Sequence, residues 1–189
     1  AFIYYIKGDV GGIGRGQALC LYAFAPFACV KAPARFFYAG RTEGRIRMGA
    51  VVTGRAVSVH GKKMMYTGEA GGHTVTLDYI PPYGEGAGFM PMQLFLVSLA
   101  ACLGSTLRYL AGEYGRTITD ISVEARGTRR DKPPKSFGAI EFDIRVTSPD
   151  LDEQTLARLG ELGKTKYCPL TTMLPADVAV TLTYRIDRE

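Results

Sequence analysis

The sequence has few residues of the types that bind metals or build disulfide scaffolds. Its 189 residues include four cysteines, which form no CxxC pair, and two histidines with no cysteine at ligand spacing. Four cysteines in this length are too few for a secreted disulfide scaffold, and the pattern does not support a structural zinc site. We therefore expect neither a metal nor a cofactor.

Clustered charge and very long apolar runs are also missing. The 23 lysines and arginines and the 18 acidic residues leave a net charge of +5, spread along the chain. This distribution favours small anionic partners or none over nucleic acid. The charge-free run over residues 92–107 is shorter than the roughly 20 residues of a membrane span, and the first residues do not resemble a signal peptide. We expect a cytoplasmic protein without membrane or nucleic-acid partners.

Residues 1–47 differ in character from the rest of the sequence. The glycine-rich segment over residues 11–16 departs from GxGxxG spacing, and prolines interrupt the chain after it, so we do not expect nucleotide binding. Cys20 and Cys29 also lie in this part and receive no role. We expect one domain over residues 48–189, preceded by an N-terminal extension of unknown role over residues 1–47.

The most distinctive stretch is an apolar helix predicted over residues 91–114. Pro91 suits its first turn, and Gly115 suits the position after its last turn. Its composition of Leu, Ala, Met and Phe predicts a helix that is buried on nearly all sides. Cys102 lies at mid-helix, between small residues that leave room for another backbone or a small ligand.

Alternating apolar and polar residues predict strands on both sides of this helix. We expect them over residues 50–59, 62–67, 73–80, 118–128, 139–147 and 178–186. Asp150 and Glu153 form a predicted capping box that opens a second helix, which Gly163 ends. The order of elements, with antiparallel signals throughout, predicts an α+β domain in which sheets enclose the apolar helix.

Another cysteine precedes a proline between the second helix and the last strand. Pro169 suits the first position of a short helix, which would place Cys168 at its N-cap. The helix dipole, with Lys164 and Lys166 nearby in sequence, would favour the Cys168 thiolate. The alternative is a buried, unreactive cysteine, because a free cysteine commonly behaves as a small hydrophobic residue.

Together these motifs resemble the OsmC/Ohr family of thiol peroxidases. The resemblance rests on Pro-Met-Gln-Leu at residues 91–94, Ala-Ala-Cys ending at Cys102, and Lys-Tyr-Cys-Pro-Leu around Cys168. The order of elements from about residue 55 to residue 185 also fits, and the motifs look most like the OsmC-like branch. The resemblance implies an OsmC-like fold and an intertwined homodimer, with antiparallel sheets wrapped around the central helices.

The family's chemistry implies a role for each of the two cysteines. In active relatives the helical cysteine attacks an organic hydroperoxide, the second cysteine converts the resulting sulfenic acid to a disulfide, and a dithiol reductant, often a lipoyl group, reopens it. Carried over, Cys102 is the peroxidatic cysteine and Cys168 the resolving one. The local dipole argument favours a thiolate at Cys168 instead. We follow the family, because local sequence does not reveal the tertiary charge that would activate Cys102.

The sequence departs from active relatives at the groups that support the thiolate. Those relatives place an arginine beside it and a glutamate at the start of the central helix, where this chain has Met92 and Gln93. Lys62 and Lys63, with Arg55 as an alternative, are the basic candidates here. The leading hypothesis is a peroxidase for organic hydroperoxides. The alternative is an OsmC-like homodimer that binds a small hydrophobic or anionic ligand, or senses thiol state, without peroxidase turnover.

Overall fold

The computed structural model describes residues 51–188, which form the predicted α+β class of fold. The strands are β1 (Arg55–Ser58), β2 (Tyr66–Ala70), β3 (His73–Leu77), β4 (Asp120–Arg129), β5 (Phe137–Thr147) and β6 (Ala179–Asp187). The helices are α1 (Pro91–Glu113), α2 (Glu153–Leu162) and α3 (Pro169–Thr172), with a π-helical segment, Gly163–Tyr167, between α2 and α3 that we call the π-turn. The N-terminal extension, its two cysteines and the boundary predicted at residue 48 lie outside the described residues.

The first sheet is an antiparallel meander of β1, β2 and β3, as predicted. Gly61 and Gly71 lie in its two turns with φ angles of 76° and 57°, a backbone region that glycine adopts without strain. The predicted bounds of the second strand are wrong, because the turn after β1 is longer than expected. In that turn the N–H of Val59 bonds to the Met65 carbonyl at 2.9 Å, so β2 begins only at Tyr66.

The second sheet contains β4, β5 and β6 in that order. β4 and β5 are antiparallel, whereas β5 and β6 are parallel, with Ala139 opposite Ala179. The expectation of antiparallel pairing throughout is therefore wrong for the last strand. The reason is the helical connection: α2, the π-turn and α3 carry the chain back to the end of the sheet where β5 began, and such crossovers join parallel neighbours.

α1 begins and ends close to where the sequence predicts, and Gly115 follows it with a φ of 66°. Its buried side, which includes Leu99, Leu103 and Leu107, packs on β4. The expectation that the helix is buried on nearly all sides is wrong for the single chain, because the sheet covers only one side and Val97 is 50% exposed. By length and mean hydropathy α1 could also cross a membrane, but the core helix of a globular domain passes the same test.

α2 begins after Asp152, whose carboxylate accepts the N–H of Thr155 at 2.7 Å. The predicted capping box of Asp150 and Glu153 is therefore wrong. Asp150 instead accepts a backbone N–H from the loop before β4 at 2.9 Å, which ties that loop to the start of α2. The α-helix ends at Leu162 with Gly163 as its C-cap, as predicted, and the π-turn continues directly from it.

Asp78 organises the loop that leads into α1. Its buried carboxylate accepts the backbone N–H groups of Tyr79 at 2.8 Å, Glu85 at 2.9 Å and Ala87 at 3.1 Å. These bonds, that of Ala87 above all, hold the pKa of Asp78 below its ordinary value. The predicted irregular loop is thus a fixed connection between the first sheet and α1.

The hydrophobic core lies between α1, α2 and the second sheet. Its buried side chains include Leu99 of α1 and Phe142 and Ile144 of β5. The two residues of β5 belong to the predicted inward face of that strand. Within residues 51–188, the first sheet contributes no buried hydrophobic side chain to this core. The core therefore holds α1 and α3 in place and leaves the first sheet outside.

Candidate functional site

Cys102 and Cys168, which are 66 positions apart in the sequence, lie side by side in the structure. Their Sγ atoms are 3.0 Å apart, about 1 Å more than in a disulfide bond. Both are free thiols; Cys168 is fully buried, and Cys102 is partly exposed. A small displacement of either sulfur would allow a disulfide between them.

α1 holds Cys102 in the middle of its length. The preceding Leu99 and the following Leu103 are fully buried and fix the rotation of the helix at this point. Thr106, one turn later, donates its hydroxyl hydrogen to the Cys102 carbonyl at 2.8 Å. The position of the thiol is therefore set by core packing and does not depend on a loop.

Cys168 occupies the N-cap of α3, with Pro169 at the first helical position, as predicted. Its backbone N–H bonds to the Gly163 carbonyl, five residues earlier, at 2.9 Å. Gly163 lies close to α1: a Cβ atom there would be 3.2 Å from the Cδ1 atom of Leu103. The absence of a side chain at Gly163 thus lets the π-turn approach α1 one residue after Cys102.

Burial raises the pKa of the Cys102 thiol above its ordinary value, because the thiolate would lose hydration. The hydrogen bond with Cys168 raises it as well, whereas the backbone N–H of Leu170, in the first turn of α3, acts in the opposite direction. No cationic side chain of residues 51–188 is among the groups that shift this pKa. In the single chain, the thiol form of Cys102 is therefore favoured near neutral pH.

The two lysines expected to support a Cys168 thiolate make other contacts. The Lys164 ammonium pairs with Glu161 at 2.9 Å, and the Lys166 ammonium lies 5.4 Å from the centroid of the Tyr167 ring. The backbone N–H of Leu170, in the first turn of α3, is the group that lowers the pKa of Cys102. Among residues 51–188, a backbone dipole and no cationic side chain favours negative charge at Cys102.

Gln93, one of the two residues that this chain has where active relatives have a glutamate, lies at the start of α1. Its side-chain oxygen accepts the N–H of Met90 at 2.9 Å. Cys102 follows Gln93 by nine positions, which is about 13 Å along an α-helix. In the single chain, Gln93 therefore stabilises the first turn of α1 and does not contact the thiol.

The expected basic residues belong to the first sheet and its turn. Lys62 forms an ion pair with Glu85 at 2.8 Å, and Lys63 donates to the Pro82 carbonyl at 3.3 Å. Arg55 lies on β1, and within residues 51–188 it has no ion pair. The structure thus brings the two cysteines together, and none of these basic groups contributes to the charge environment of Cys102 in the single chain.

Sequence reasoning missed two groups that border the cysteine pair. One is the backbone N–H of Leu170, described above. The other is the hydroxyl of Thr171, which is buried and donates to the Lys164 carbonyl at 2.9 Å. A signal for the second was present, because a threonine in the first turn after an N-cap is well placed to bond nearby carbonyl groups.

An open groove of about 760 Å³ runs between α1 and β4. Its walls are mostly apolar and include Val97 and Ala101 from the helix and Val123 from the strand, with Gln93 and Glu124 as polar members. The apolar lining of the groove suits a hydrophobic ligand or another apolar surface.

The described part of the chain has no group of three His, Cys, Asp or Glu side chains placed to hold a metal ion.

The fold and the cysteine pair together define a class of protein, an α+β domain that holds two free thiols in contact. Within that class, this chain belongs to the family of OsmC-like proteins. The sequence model of that family matches residues 84–183, a stretch that contains both cysteines. The resemblance to the OsmC/Ohr family is therefore confirmed.

Individual relatives agree with this family. Protein YhfA of Escherichia coli K12 is 27% identical over 124 residues, which are 65% of this chain and 90% of YhfA. The OsmC-like protein of Mycoplasma pneumoniae superposes with a TM-score of 0.65 at 21% identity, covering 74% of this chain and 99% of that one. The organic hydroperoxide resistance protein OhrB of Bacillus subtilis gives a TM-score of 0.53 at 24% identity, covering 72% and 98%. These similarities confirm the predicted OsmC-like fold.

Proposed function

We propose that this protein reduces organic hydroperoxides through Cys102 and Cys168, as a homodimer in a reducing cytoplasm. The observation that carries the proposal is the 3.0 Å separation of the two sulfur atoms. Packing helices on a sheet does not require two cysteines to meet, whereas a cycle that passes through an intramolecular disulfide does. Membership of the OsmC-like family supports the same chemistry.

The cycle has three steps. The Cys102 thiolate attacks the terminal oxygen of the hydroperoxide, the O–O bond breaks, and the alcohol leaves after taking up a proton, so that Cys102 becomes a sulfenic acid. Cys168 then attacks the Cys102 sulfur, the disulfide forms, and water leaves with the thiol proton. A dithiol reductant, for example a lipoyl group, reduces the disulfide by two exchange steps and is itself oxidised to a disulfide.

The different exposure of the two cysteines supports these roles. Cys102 is partly exposed, so a small peroxide can reach its sulfur, whereas Cys168 is fully buried beside it. A buried thiol reacts only with a group that is already in contact with it. A sulfenic acid formed at Cys102 is such a group, which favours Cys168 as the resolving cysteine.

A homodimer would supply what the single chain lacks around Cys102. Because burial raises the pKa of this thiol, a nearby cation is needed to favour the thiolate. The first sheet carries the candidates Arg55, Lys62 and Lys63, and Arg55 has no ion pair among residues 51–188. A second copy that covers the groove would bury apolar surface and could bring a basic side chain of its own first sheet to the thiol.

The direct test follows the cysteines and the peroxide together. One equivalent of cumene hydroperoxide should give a peptide pair linked between Cys102 and Cys168 by mass spectrometry. Cys168→Ser should accumulate sulfenic and then sulfinic acid at Cys102, and Cys102→Ser should consume peroxide only at the uncatalysed rate. Turnover should be faster with dihydrolipoamide than with dithiothreitol. The proposal fails if peroxide leaves both thiols free while Cys20 or Cys29 is oxidised.

A second candidate function is binding of a small hydrophobic or anionic ligand, or sensing of thiol state, without peroxidase turnover. The raised pKa of Cys102 and the open apolar groove favour it. This candidate predicts that the disulfide forms with a general thiol oxidant such as diamide, whereas cumene hydroperoxide is consumed no faster than by free cysteine. The peroxide assay above therefore separates the two functions.

A further inference from the structure

The chain changes its helical register just before Cys168. In an α-helix the N–H of Cys168 would bond to the Lys164 carbonyl, four residues earlier. Instead it bonds to the Gly163 carbonyl, five residues earlier, at 2.9 Å. The next residue, Pro169, has no N–H to offer. The Lys164 carbonyl therefore receives no bond from either position that would normally supply one.

The side chain of Thr171 supplies the missing donor. Its hydroxyl oxygen lies 2.9 Å from the Lys164 carbonyl oxygen and 3.1 Å from that of Cys168. The Cys168 carbonyl also has donors from Thr172, a backbone N–H at 3.2 Å and a hydroxyl at 3.1 Å. The shorter bond of Thr171 is therefore directed to Lys164, and Thr171 is buried where water would compete poorly.

We propose that Thr171 is a positioning residue that holds the π-turn in its register and so keeps the Cys168 sulfur within reach of Cys102. Without this hydroxyl, the Lys164 carbonyl can be satisfied if the N–H of Cys168 returns to it in the α-helical register. That change would rotate Cys168 about the axis of the helix and move its sulfur away from Cys102. Thr171 thus selects the backbone state in which the two sulfur atoms are 3.0 Å apart.

The kinetic consequence rests on the proposed function, because it concerns the resolving step. After Cys102 becomes a sulfenic acid, capture by Cys168 competes with further oxidation to sulfinic acid. The equilibrium consequence does not depend on peroxide, because any oxidant of the pair must bring the same two sulfur atoms together. The two consequences can therefore be measured separately.

The test compares Thr171→Val, which keeps the shape and loses the donor, with Thr171→Ser, which keeps the donor. Thr172→Val is the matched control, because among residues 51–188 the Thr172 hydroxyl bonds to the Cys168 and Pro169 carbonyls and not to that of Lys164. The measured quantity is the equilibrium constant of the Cys102–Cys168 disulfide in mixtures of reduced and oxidised dithiothreitol. Thr171→Val should lower it roughly five- to tenfold, the range of one buried hydrogen bond. Thr171→Ser should restore it, and Thr172→Val should leave it within about twofold.

A peroxide pulse gives the second readout. Thr171→Val should convert a several-fold larger share of its oxidised Cys102 to sulfinic acid, measured as the ratio of sulfinic acid to disulfide at equal peroxide consumed. If Thr171→Val does not fold, Thr171→Ala carries the same expectations. An unchanged disulfide constant in Thr171→Val, or no recovery in Thr171→Ser, would overturn the proposal. An altered disulfide constant in a protein that consumes no peroxide would leave Thr171 with this role and reject only the peroxidase.

Discussion

The strands of both sheets alternate apolar and polar residues, but the two sheets differ sharply in how much of their surface is buried. In the second sheet, β5 buries its entire inward row of side chains, Ile140, Phe142, Ile144 and Val146. In the first sheet, β1 is exposed at all four positions, and on β3 Val75 and Leu77 are only half-buried. Alternation of residue types therefore forms strands in both sheets, whereas helices cover only the second.

This difference shows where the first sheet must find its stability. A small sheet with one uncovered apolar face is marginally stable on its own. Here the first sheet joins the rest of the domain mainly through the loop held by Asp78 and a short contact between Leu77 and Phe89. In the proposed homodimer, the second copy provides the missing cover.

The difference in burial between the two sheets should have its largest effect on the free energy of unfolding. Phe142→Ala removes a fully buried ring from β5 and should cost about 3–5 kcal/mol. Val57→Ala, on β1 where the side chain is 39% exposed, should cost less than about 1 kcal/mol. Urea unfolding of both variants at low protein concentration measures the two values, and equal losses would mean that the sheets contribute alike.

A charge in the groove should break the proposed homodimer. Val97→Arg places a guanidinium on the exposed face of α1, where a second copy would bury it without a partner, so the dimer dissociation constant should rise roughly tenfold or more. Thr181→Arg, on the exposed face of β6, is the matched control and should leave the constant unchanged. Sedimentation equilibrium gives both constants. A monomeric wild type, or equal constants in the two variants, would contradict the dimer.

The same two variants test whether a second copy lowers the pKa of Cys102, through the pH dependence of its alkylation. Burial raises the pKa of Cys102 in the single chain, and the thiolate is the form that iodoacetamide attacks. Alkylation of Cys102 in the Val97→Arg monomer should therefore keep rising with pH beyond about 8.5, the ordinary value for cysteine. In wild type and in Thr181→Arg, a cation from the second copy should move the inflection to lower pH. Identical profiles in all three proteins would mean that the dimer brings no cation.

Much of the fold could be predicted because strong local patterns decide it. Strict alternation gave the inward face of β5 correctly, and Pro91 and Gly115 marked the ends of α1 to within a residue. The direction of β6 was missed, because a strand's pattern is the same in parallel and antiparallel pairs. The N-cap of α2 was missed because Asp150 and Asp152 are both good caps, and only the tertiary bond from the loop before β4 commits Asp150 elsewhere.

The candidate site also has features that local sequence predicts and features that depend on tertiary contacts. The sequence predicted the N-cap position of Cys168 from the proline after it, and the family motifs singled out the two cysteines. It could not predict the π-turn before Cys168 or the effect of the Leu170 N–H on the pKa of Cys102, because both depend on how the chain packs after α2. The surroundings of Cys102 depend on tertiary contacts and, in our proposal, on a second chain.

The smallest expected effect concerns the start of α1, where the loop from the first sheet meets the core. Gln93→Glu keeps the oxygen that accepts the Met90 N–H and adds a negative charge near the helix N-terminus, so stability should rise by about 0.3–1 kcal/mol. Gln154→Glu makes the same exchange in the first turn of α2 and should give a similar gain.

Peroxidase activity separates the two positions. In the single chain Gln93 is about 13 Å along α1 from Cys102, so a direct effect on the thiol is not expected. If a second copy brings an arginine or lysine to the start of α1, however, the new carboxylate would anchor it, as the glutamate does in active relatives. We therefore expect Gln93→Glu, and Met92→Glu beside it, to raise kcat/KM severalfold, whereas Gln154→Glu leaves it unchanged. A gain in stability at both helices without a gain in activity would mean that no basic group approaches Gln93.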